Sequence, residues 1–132
     1  MKFKRLPSPS ESDSLHIKTK GRKGIISGNV TVISFRDKDT RQMVIYVPAL
    51  DLSGYGETEE KAEEMVKFSI QDYFDYLMKF PANKVKSELA KYGWKKNPIK
   101  STEFSHAYVD ICGNLKNFNA VGDKVEVSVL TV

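Results

Sequence analysis

The sequence predicts an α+β fold in which an antiparallel sheet is covered by one long helix, with a second short helix and late strands completing the layer. Two patterns carry this prediction. Apolar residues follow the period of a β-strand over residues 30–35 and 43–47, on either side of a short polar segment. Over residues 58–79, apolar residues recur every three or four positions, which is the period of an amphipathic helix.

The first two strands are predicted to form a hairpin. Residues 30–35 place apolar side chains on both faces, so this strand should be central or covered on both sides. The polar segment 37–40 has the composition of a turn, and the second strand follows at residues 43–47. Pro48 cannot donate a ladder hydrogen bond, so it ends the second strand or places it at an edge.

A short third strand is expected around Leu52 and Tyr55. Gly54 and Gly56 mark backbone that needs conformational freedom or the close approach of another element. Thr58, which follows, has the character of a helix N-cap because its hydroxyl can accept a hydrogen bond from the first turn.

The long helix is predicted over residues 58–79. Glu59 and Glu60 favour the positive end of its dipole, and Pro81 stops it. Its expected core face comprises Ala62, Val66, Ile70, Tyr73 and Leu77.

The shorter second helix is predicted from Val85, Leu89 and Tyr92, which share one face. Gly93 is placed to end it in the left-handed conformation, and Trp94 would then pack on Leu89. Beyond the helix, the lysine-rich residues 95–103 are expected to be irregular. Later strands are predicted at residues 104–112 and 125–130.

The amino-terminal segment is predicted to be a flexible basic tail over residues 1–24, ahead of a single domain at 25–132. Proline, serine and charged residues dominate the tail, which holds few large apolar residues. Leu15 and Ile17 alternate with polar neighbours, so a short strand there is an alternative. Seven basic and two acidic residues give the tail a charge of +5, although the whole chain carries only +4.

Several classes of protein are disfavoured by composition. No apolar run approaches the roughly 18 residues of a membrane span, and no apolar region follows the basic start as in a secretory signal. Cys112 is the single cysteine, so it cannot form an internal disulfide, and no cluster has the spacing of a zinc site. We expect a cytoplasmic protein without metal or cofactor.

Catalytic motifs are equally sparse, and the chain is expected not to be an enzyme. It lacks a phosphate-binding glycine loop and a nucleophile elbow. Cys112 follows apolar Ile111, which favours a buried structural thiol. Of the two histidines, His106 is the candidate for acid–base chemistry because imidazole titrates near neutral pH, whereas His16 lies in the predicted tail.

Charge is segregated along the folded part. Residues 57–78 hold seven acids and two lysines, whereas residues 79–100 hold seven lysines and one acid. Such a dipolar surface suits a charged protein partner. The acids that would bind a basic partner are Glu59, Glu60, Glu63, Glu64, Asp72 and Asp75. A nucleic-acid-binding alternative would use Lys18, Lys20, Arg22, Lys23, Lys95 and Lys96, with Lys84, Lys86, Lys91 and Lys100 of the lysine-rich segment.

A family resemblance lies in residues 30–78, about a third of the chain. A hairpin is followed by Tyr-Val-Pro-Ala-Leu-Asp-Leu-Ser-Gly-Tyr-Gly-Glu-Thr-Glu-Glu-Lys-Ala over residues 46–62. This segment resembles the HicB-like antitoxin pattern, in which a strand leads through Pro-Asp-Leu-Pro-Gly and Gly-Asp-Thr-x-x-Glu-Ala into a helix. The matching positions are Pro48, Asp51, Leu52, Gly54, Gly56, Thr58, Glu59, Glu60 and Ala62.

The sequence departs from that pattern at three places. Two residues separate Pro48 from Asp51, Ser53 stands at the second proline, and Glu57 replaces the aspartate. The resemblance implies a β-β-β-α-β unit that is commonly dimeric and that neutralises a small basic ribonuclease toxin, HicA. The DNA-binding module that many members carry at the carboxyl terminus is not evident.

The second half has a competing similarity to the toxin partner. Residues 89–94 resemble the helix of that family that ends in Gly-Phe or Gly-Trp, and Ser105-His106 resembles its Gly-Ser-His segment, with Phe104 in place of the glycine. The sequence therefore predicts a non-enzymatic, antitoxin-type protein-binding chain. The alternatives are a nucleic-acid-binding protein and a weak ribonuclease that uses His106.

Overall fold

The computed structural model describes residues 2–5, 13–20, 23–96, 103–106 and 120–132. For residues 2–5, 19–20, 23–24, 103, 105–106 and 120–124 it describes the backbone alone. The elements, in chain order, are β1 (Lys2–Arg5), β2 (Asp13–Lys20), β3 (Lys23–Asp37), β4 (Met43–Val47), β5 (Leu52–Gly56), α1 (Glu59–Leu77), α2 (Ala82–Ala90), β6 (Trp94–Lys96), β7 (Glu103–His106) and β8 (Ala120–Thr131).

The α+β fold class is confirmed. The eight strands of the described segments form one sheet in the order β1-β8-β3-β2-β7-β6, and β4 and β5 branch from β3. Every pairing between neighbouring strands is antiparallel. The predicted strand at residues 30–35 is the middle of the long central strand β3, and β4 and β5 confirm the next two predicted strands.

The sheet forks along one edge of β3. Its first half pairs with β2 as far as Asn29, opposite Ser14. Its second half pairs with β4 from Ile33, opposite Tyr46. Because β8 occupies the other edge of β3 along its second half, β2 and β4 must share the remaining edge and divide it between them.

A buried carboxylate lies at this fork. Thr31 falls between the last residue of β3 that pairs with β2 and the first that pairs with β4. Its backbone N–H donates to Asp13 Oδ1 at 3.1 Å, and its hydroxyl donates to the same oxygen at 2.7 Å. Both residues are buried, with exposed fractions of 5% for Asp13 and 3% for Thr31. A buried backbone donor needs an acceptor, and Asp13 supplies the one that no strand provides here.

The structure differs here from the flexible tail expected over residues 1–24. Residues 13–20 form β2, which pairs with β3 on one side and with β7 on the other. Leu15 is only 1% exposed and belongs to the core. Since β2 buries one face, two apolar residues, Leu15 and Ile17, are enough to attach it, and its composition remains mostly polar. Residues 2–5 also form a strand, β1, which pairs with β8.

Helix α1 covers β4 and β5 and confirms the predicted long helix. Lys61 N–H donates to the Thr58 hydroxyl at 3.2 Å, so Thr58 is the N-cap. Tyr73, which we expected in the core, is only half-buried, and Phe74 lies in the core instead. The buried residues of the helix are Ala62, Val66, Ile70, Phe74 and Leu77.

Two glycines of β5 allow α1 to approach the strand closely. A Cβ atom at Gly54 would lie 2.4 Å from Val66 N and 2.8 Å from Ala62 O, both helix backbone atoms. At Gly56, a Cβ atom would lie 2.6 Å from Lys61 Cβ. The closely spaced glycines therefore meet a steric requirement of helix-on-strand packing.

The second half is more regular than the sequence suggested. Helix α2 ends before Gly93, which has the expected positive φ of 91°. Trp94 is buried, and its Nε1–H donates to the carbonyl oxygen of Ala49 at 2.8 Å. Residues 94–96 form β6 rather than irregular chain, because they pair with β7. Of the strand predicted at 104–112, β7 includes residues 104–106, and residues 107–112 lie outside the described residues.

The face of the sheet opposite α1 is also apolar beside the fork. Ile33 and Phe35 are buried there and pack with Val44, Val125 and Val127. This second cluster agrees with the apolar character of both faces of residues 30–35. The last predicted strand, at residues 125–130, is the second half of β8, which begins at Ala120.

We predict that Asp13→Ala lowers the free energy of unfolding by about 3 kcal/mol. The substitution leaves two buried donors of Thr31 without their acceptor, and each such group costs roughly 1–3 kcal/mol. Urea denaturation measures the change. Ser14→Ala, at the exposed neighbour in the same strand, is the control, and an equal loss in the two variants would contradict a special role for Asp13.

Gly54→Ala should destabilise the protein by about 3 kcal/mol because its methyl group overlaps the backbone of α1. Thermal unfolding followed by circular dichroism measures this effect. Ser53→Ala, at the adjacent exposed position of β5, should change stability by less than about 0.5 kcal/mol. An unaltered melting temperature for Gly54→Ala would show that the helix does not approach the strand so closely.

Candidate functional site

The acidic residues proposed from the sequence all lie on α1. Glu59 and Glu60 occupy its first turn, where they favour the helix dipole, so these two have a structural role as well. All are exposed except Glu63, which is half-buried. The set is Glu59, Glu60, Glu63, Glu64, Asp72 and Asp75.

An exposed aromatic side chain lies among the carboxylates on the outward side of the helix. Phe68 is 72% exposed, the largest value among the large apolar side chains that the structure describes. Helical spacing places Glu64 four residues before it and Asp72 four residues after it, with Asp75 one turn further. Met65, which is 36% exposed, adds apolar surface on one side. We define Glu64, Met65, Phe68, Asp72 and Asp75 as the α1 outer surface.

The sequence predicted the acids of this surface but not its apolar centre. Phe68 is out of phase with the buried face of α1, and that phase could have revealed it as an exposed residue. Met65 was included in the apolar repeat, yet it lies at the margin of the buried face. There its sulfur accepts a hydrogen bond from the backbone N–H of Tyr55 at 3.4 Å. In the described residues, β5 pairs only with β4, so it forms an edge of the sheet beside this surface.

A group of aromatic rings lies where α1 ends and α2 packs near it. The Tyr73 ring lies 6.3 Å from Tyr76 in a stacked arrangement and 6.0 Å from Tyr92 in an edge-to-face arrangement, measured between centroids. Tyr76 also meets Phe80 edge to face at 4.9 Å. Lys84 Nζ lies 4.6 Å from the centroid of Phe80, in cation–π geometry.

The Tyr73 hydroxyl is the most perturbed group of this cluster. Burial raises the pKa of Tyr73, and the nearby Tyr92, Glu88 and Tyr76 raise it further. Its oxygen is buried and makes no hydrogen bond with the described residues. The cluster was not predicted as a unit, because Tyr92 reaches Tyr73 only through the packing of α2.

The turn between β4 and β5 holds Asp51 in a structural role. Tyr46 Oη–H donates to Asp51 Oδ1 at 3.0 Å. Burial is the largest cause that raises the pKa of Tyr46, and this hydrogen bond raises it further. Asp51 itself has a positive φ of 50°. Glu57 Oε2 lies 3.8 Å from Lys61 Nζ. These contacts fit turn and helix-cap roles for the two acids.

Of the basic residues proposed for nucleic-acid binding, the structure describes the side chains of Lys18, Lys84, Lys86, Lys91, Lys95 and Lys96. Lys18 is exposed on β2, two strands away from β6. Lys95 is exposed and Lys96 half-buried, and successive positions of β6 point to opposite faces. For Lys20 and Lys23 the structure describes the strand backbone alone, and Arg22 and Lys100 lie outside the described residues.

The residues considered for catalysis are only partly described. His106 lies in β7, and its Cα is opposite that of Asp13 in β2 and that of Trp94 in β6. His16 is half-buried in β2, and Cys112 lies outside the described residues. Within the described ranges, no three histidine, cysteine or carboxylate side chains are grouped so that they could hold a metal ion.

No family model matches the chain, and no curated protein or solved structure matches it. Neither α1 nor α2, the helices of the described ranges, is long and apolar enough to cross a membrane. The described residues present two candidate surfaces. One is the acidic surface with an apolar centre on α1, and the other is the aromatic cluster with lysines beside α2.

Tyr73→Phe is predicted to leave the fold intact and to raise the free energy of unfolding by up to about 1 kcal/mol. The change removes a buried hydroxyl that has no hydrogen bond with the described residues. Because the raised pKa disfavours ionisation in the folded state, the unmodified protein should lose stability as pH rises above 10.0, the ordinary tyrosine value. The variant should lose less.

Urea denaturation at pH 7 and pH 11 measures both effects. Tyr55→Phe, at an exposed tyrosine of β5, is the control and should show neither effect. A loss of more than about 1 kcal/mol for Tyr73→Phe at pH 7 would mean that the hydroxyl makes a stabilising hydrogen bond.

Proposed function

We propose that this chain is a non-enzymatic, antitoxin-type binding protein that holds a small basic protein against the α1 outer surface. The observation that carries the proposal is the placement of Phe68, 72% exposed, between carboxylates one helical turn away on either side. When a partner covers a large aromatic side chain that is exposed on a helix, the burial of its apolar surface lowers the free energy of the complex.

The chemistry of this surface matches that of a protein interface. Binding free energy is concentrated in a few central side chains, among which aromatic residues are frequent, and the surrounding polar residues exclude water. Here Phe68 would be the central side chain. The carboxylates of Glu64, Asp72 and Asp75 would attract a basic partner and accelerate its association. Lys61 and Lys67 are the two basic residues of α1, against six acids.

The arrangement of the strands supports the resemblance to HicB-like antitoxins. Strands β3, β4 and β5 lead into α1, which matches the β-β-β-α part of the unit that the resemblance implies, and β8 lies beside β3 in the sheet although α2, β6 and β7 stand between it and α1 in the chain. Gly54 and Gly56, two of the matching positions, lie where the helix approaches β5. On this basis we propose a small basic ribonuclease of the HicA type as the partner.

Self-association and a cytoplasmic location also belong to this proposal. The outer edge of β5 has no strand partner in the described segments, and such an edge can pair with that of a second copy. A homodimer formed in this way would place two α1 outer surfaces in one particle. Sedimentation of the purified chain measures its mass directly, and a monomer at all concentrations would contradict the dimer.

We predict that Phe68→Ser weakens the complex with the basic partner about thirtyfold, the effect of losing a central interface residue worth about 2 kcal/mol. Tagged chains would first capture the partner from the source cells, and mass spectrometry would identify it. The purified partner would then be titrated against each variant by calorimetry. Tyr92→Ser, at a partly exposed aromatic residue outside the α1 outer surface, is the control and should bind normally.

Charge reversal, followed by rapid-mixing kinetics with the same purified partner, distinguishes long-range electrostatic attraction from the burial of Phe68. Glu64→Lys with Asp72→Lys should reduce the association rate at low salt and flatten its dependence on salt, because these carboxylates act over distance. Asp39→Lys with Glu126→Lys, at exposed acids of the turn after β3 and of β8, makes the same change in net charge and is the control. The proposal is overturned if no basic protein is captured, or if Phe68→Ser binds it as tightly as the unmodified chain.

A further inference from the structure

The aromatic cluster beside α2 presents two partly exposed tyrosine rings that pack against a half-buried third. Tyr76 is 43% exposed and Tyr92 is 37% exposed. Both pack against the half-buried ring of Tyr73, at 6.3 Å and 6.0 Å between centroids. Since each of these rings already contacts the protein, little side-chain entropy remains to be lost when a planar ligand covers its exposed part.

The surroundings of these rings are basic. Lys84 Nζ lies 4.6 Å from the centroid of Phe80, and the exposed Lys79 and Lys86 are close in the chain. Lys91 Nζ lies 2.9 Å from Glu88 Oε1, and the Glu88 side chain is only 16% exposed. The carboxylate that faces the cluster is thus covered and paired with Lys91, whereas Lys79, Lys84 and Lys86 are exposed and leave a net positive charge beside the rings.

The tyrosine rings and the lysines belong to one surface. The pKa of Lys91 is raised first by its hydrogen bond and charge interaction with Glu88, and additionally by Tyr76 and Tyr92. Lys91 is also the neighbour of Tyr92 in the chain, and Lys84 Nζ lies over the ring of Phe80, whose centroid is 4.9 Å from that of Tyr76. We define Tyr76, Phe80, Tyr92, Lys84 and Lys91 as the aromatic–lysine patch.

We propose that the aromatic–lysine patch binds single-stranded nucleic acid, with bases stacked on Tyr76 and Tyr92 and phosphates near Lys84 and Lys91. Every base has a π face that can stack on a tyrosine ring, and the backbone carries the negative charge that lysines attract. A duplex hides its base faces, so it would meet the lysines but not the rings. The chemical class of ligand follows from the pairing of open rings with cations.

Charge also sets the path that the bound nucleic-acid strand would follow. Asp72 and Asp75 lie on α1 just before the patch, and their carboxylates would repel phosphate. The nucleic-acid strand would therefore run along α2, away from Phe68 and the rest of the α1 outer surface. This site uses other residues than the proposed protein interface, so either one can fail without the other.

The test is fluorescence anisotropy with a labelled dT oligonucleotide, the matching RNA, and a duplex of the same length. The single strands should bind more tightly than the duplex. Tyr92→Ala and Tyr76→Ala should each weaken single-strand binding about tenfold, the effect of one lost stacking contact. Tyr55→Ala, at a tyrosine of β5 that is 52% exposed, is the matched control and should bind normally.

Two further variants keep the test decisive if a tyrosine substitution disturbs packing. Tyr92→Phe keeps the ring and should retain binding, and Lys84→Glu alters an exposed charge and should weaken binding while flattening its dependence on salt. The proposal is overturned if the single strands do not bind at low salt, if the duplex binds equally well, or if Tyr92→Ala binds normally. An acidic peptide, poly-glutamate, that binds as tightly as dT would also overturn it, since charge alone would then suffice.

Discussion

The carboxylate of Asp13 at the fork of the sheet is the contact on which the architecture depends. β3 has β8 along one edge and must divide the other between β2 and β4, which leaves Thr31 between two ladders. By accepting both hydrogen bonds from Thr31, Asp13 allows the sheet to divide without a buried unsatisfied donor. One branch then carries β4, β5 and α1, and the other carries β2, β7 and β6.

The position of the proposed protein interface follows from the first branch. Because Gly54 and Gly56 let α1 lie close against β5, the buried face of the helix is fixed, and its opposite side must face solvent. Phe68 is therefore exposed as a consequence of packing elsewhere on the same helix. Its acidic neighbours Glu64, Asp72 and Asp75 are exposed and lie outside the core, so packing does not dictate the residue types on the outward side.

The two branches meet at Trp94, which joins β6 to the turn after β4. Its indole N–H donates to Ala49 O, and this contact fixes the chain that leaves α2. α2 in turn carries the lysines and brings Tyr92 against Tyr73. An acidic surface on α1 and a lysine-bearing segment from α2 onward thus follow each other in the chain, and this arrangement would keep the proposed basic partner and the proposed nucleic-acid strand on separate sides of the molecule.

The sequence by itself determined the elements whose signals are local. The β3–β4 hairpin, β5, the Thr58 cap, α1 and the end of α2 at Gly93 all follow from periodicity and from single residues with strong conformational preferences. The acids of the candidate surface were found in the same way. Only the tertiary structure decided what depends on distant pairing.

Strand β2 has too few apolar residues to be distinguished from a tail until it pairs with β3 and β7 and buries Leu15 in the core. Strand β6 exists because β7 pairs with it, and the aromatic cluster exists because α2 carries Tyr92 to Tyr73. Local preference encodes a helix or a turn over a few residues. A contact between distant residues instead depends on the packing of every element between them.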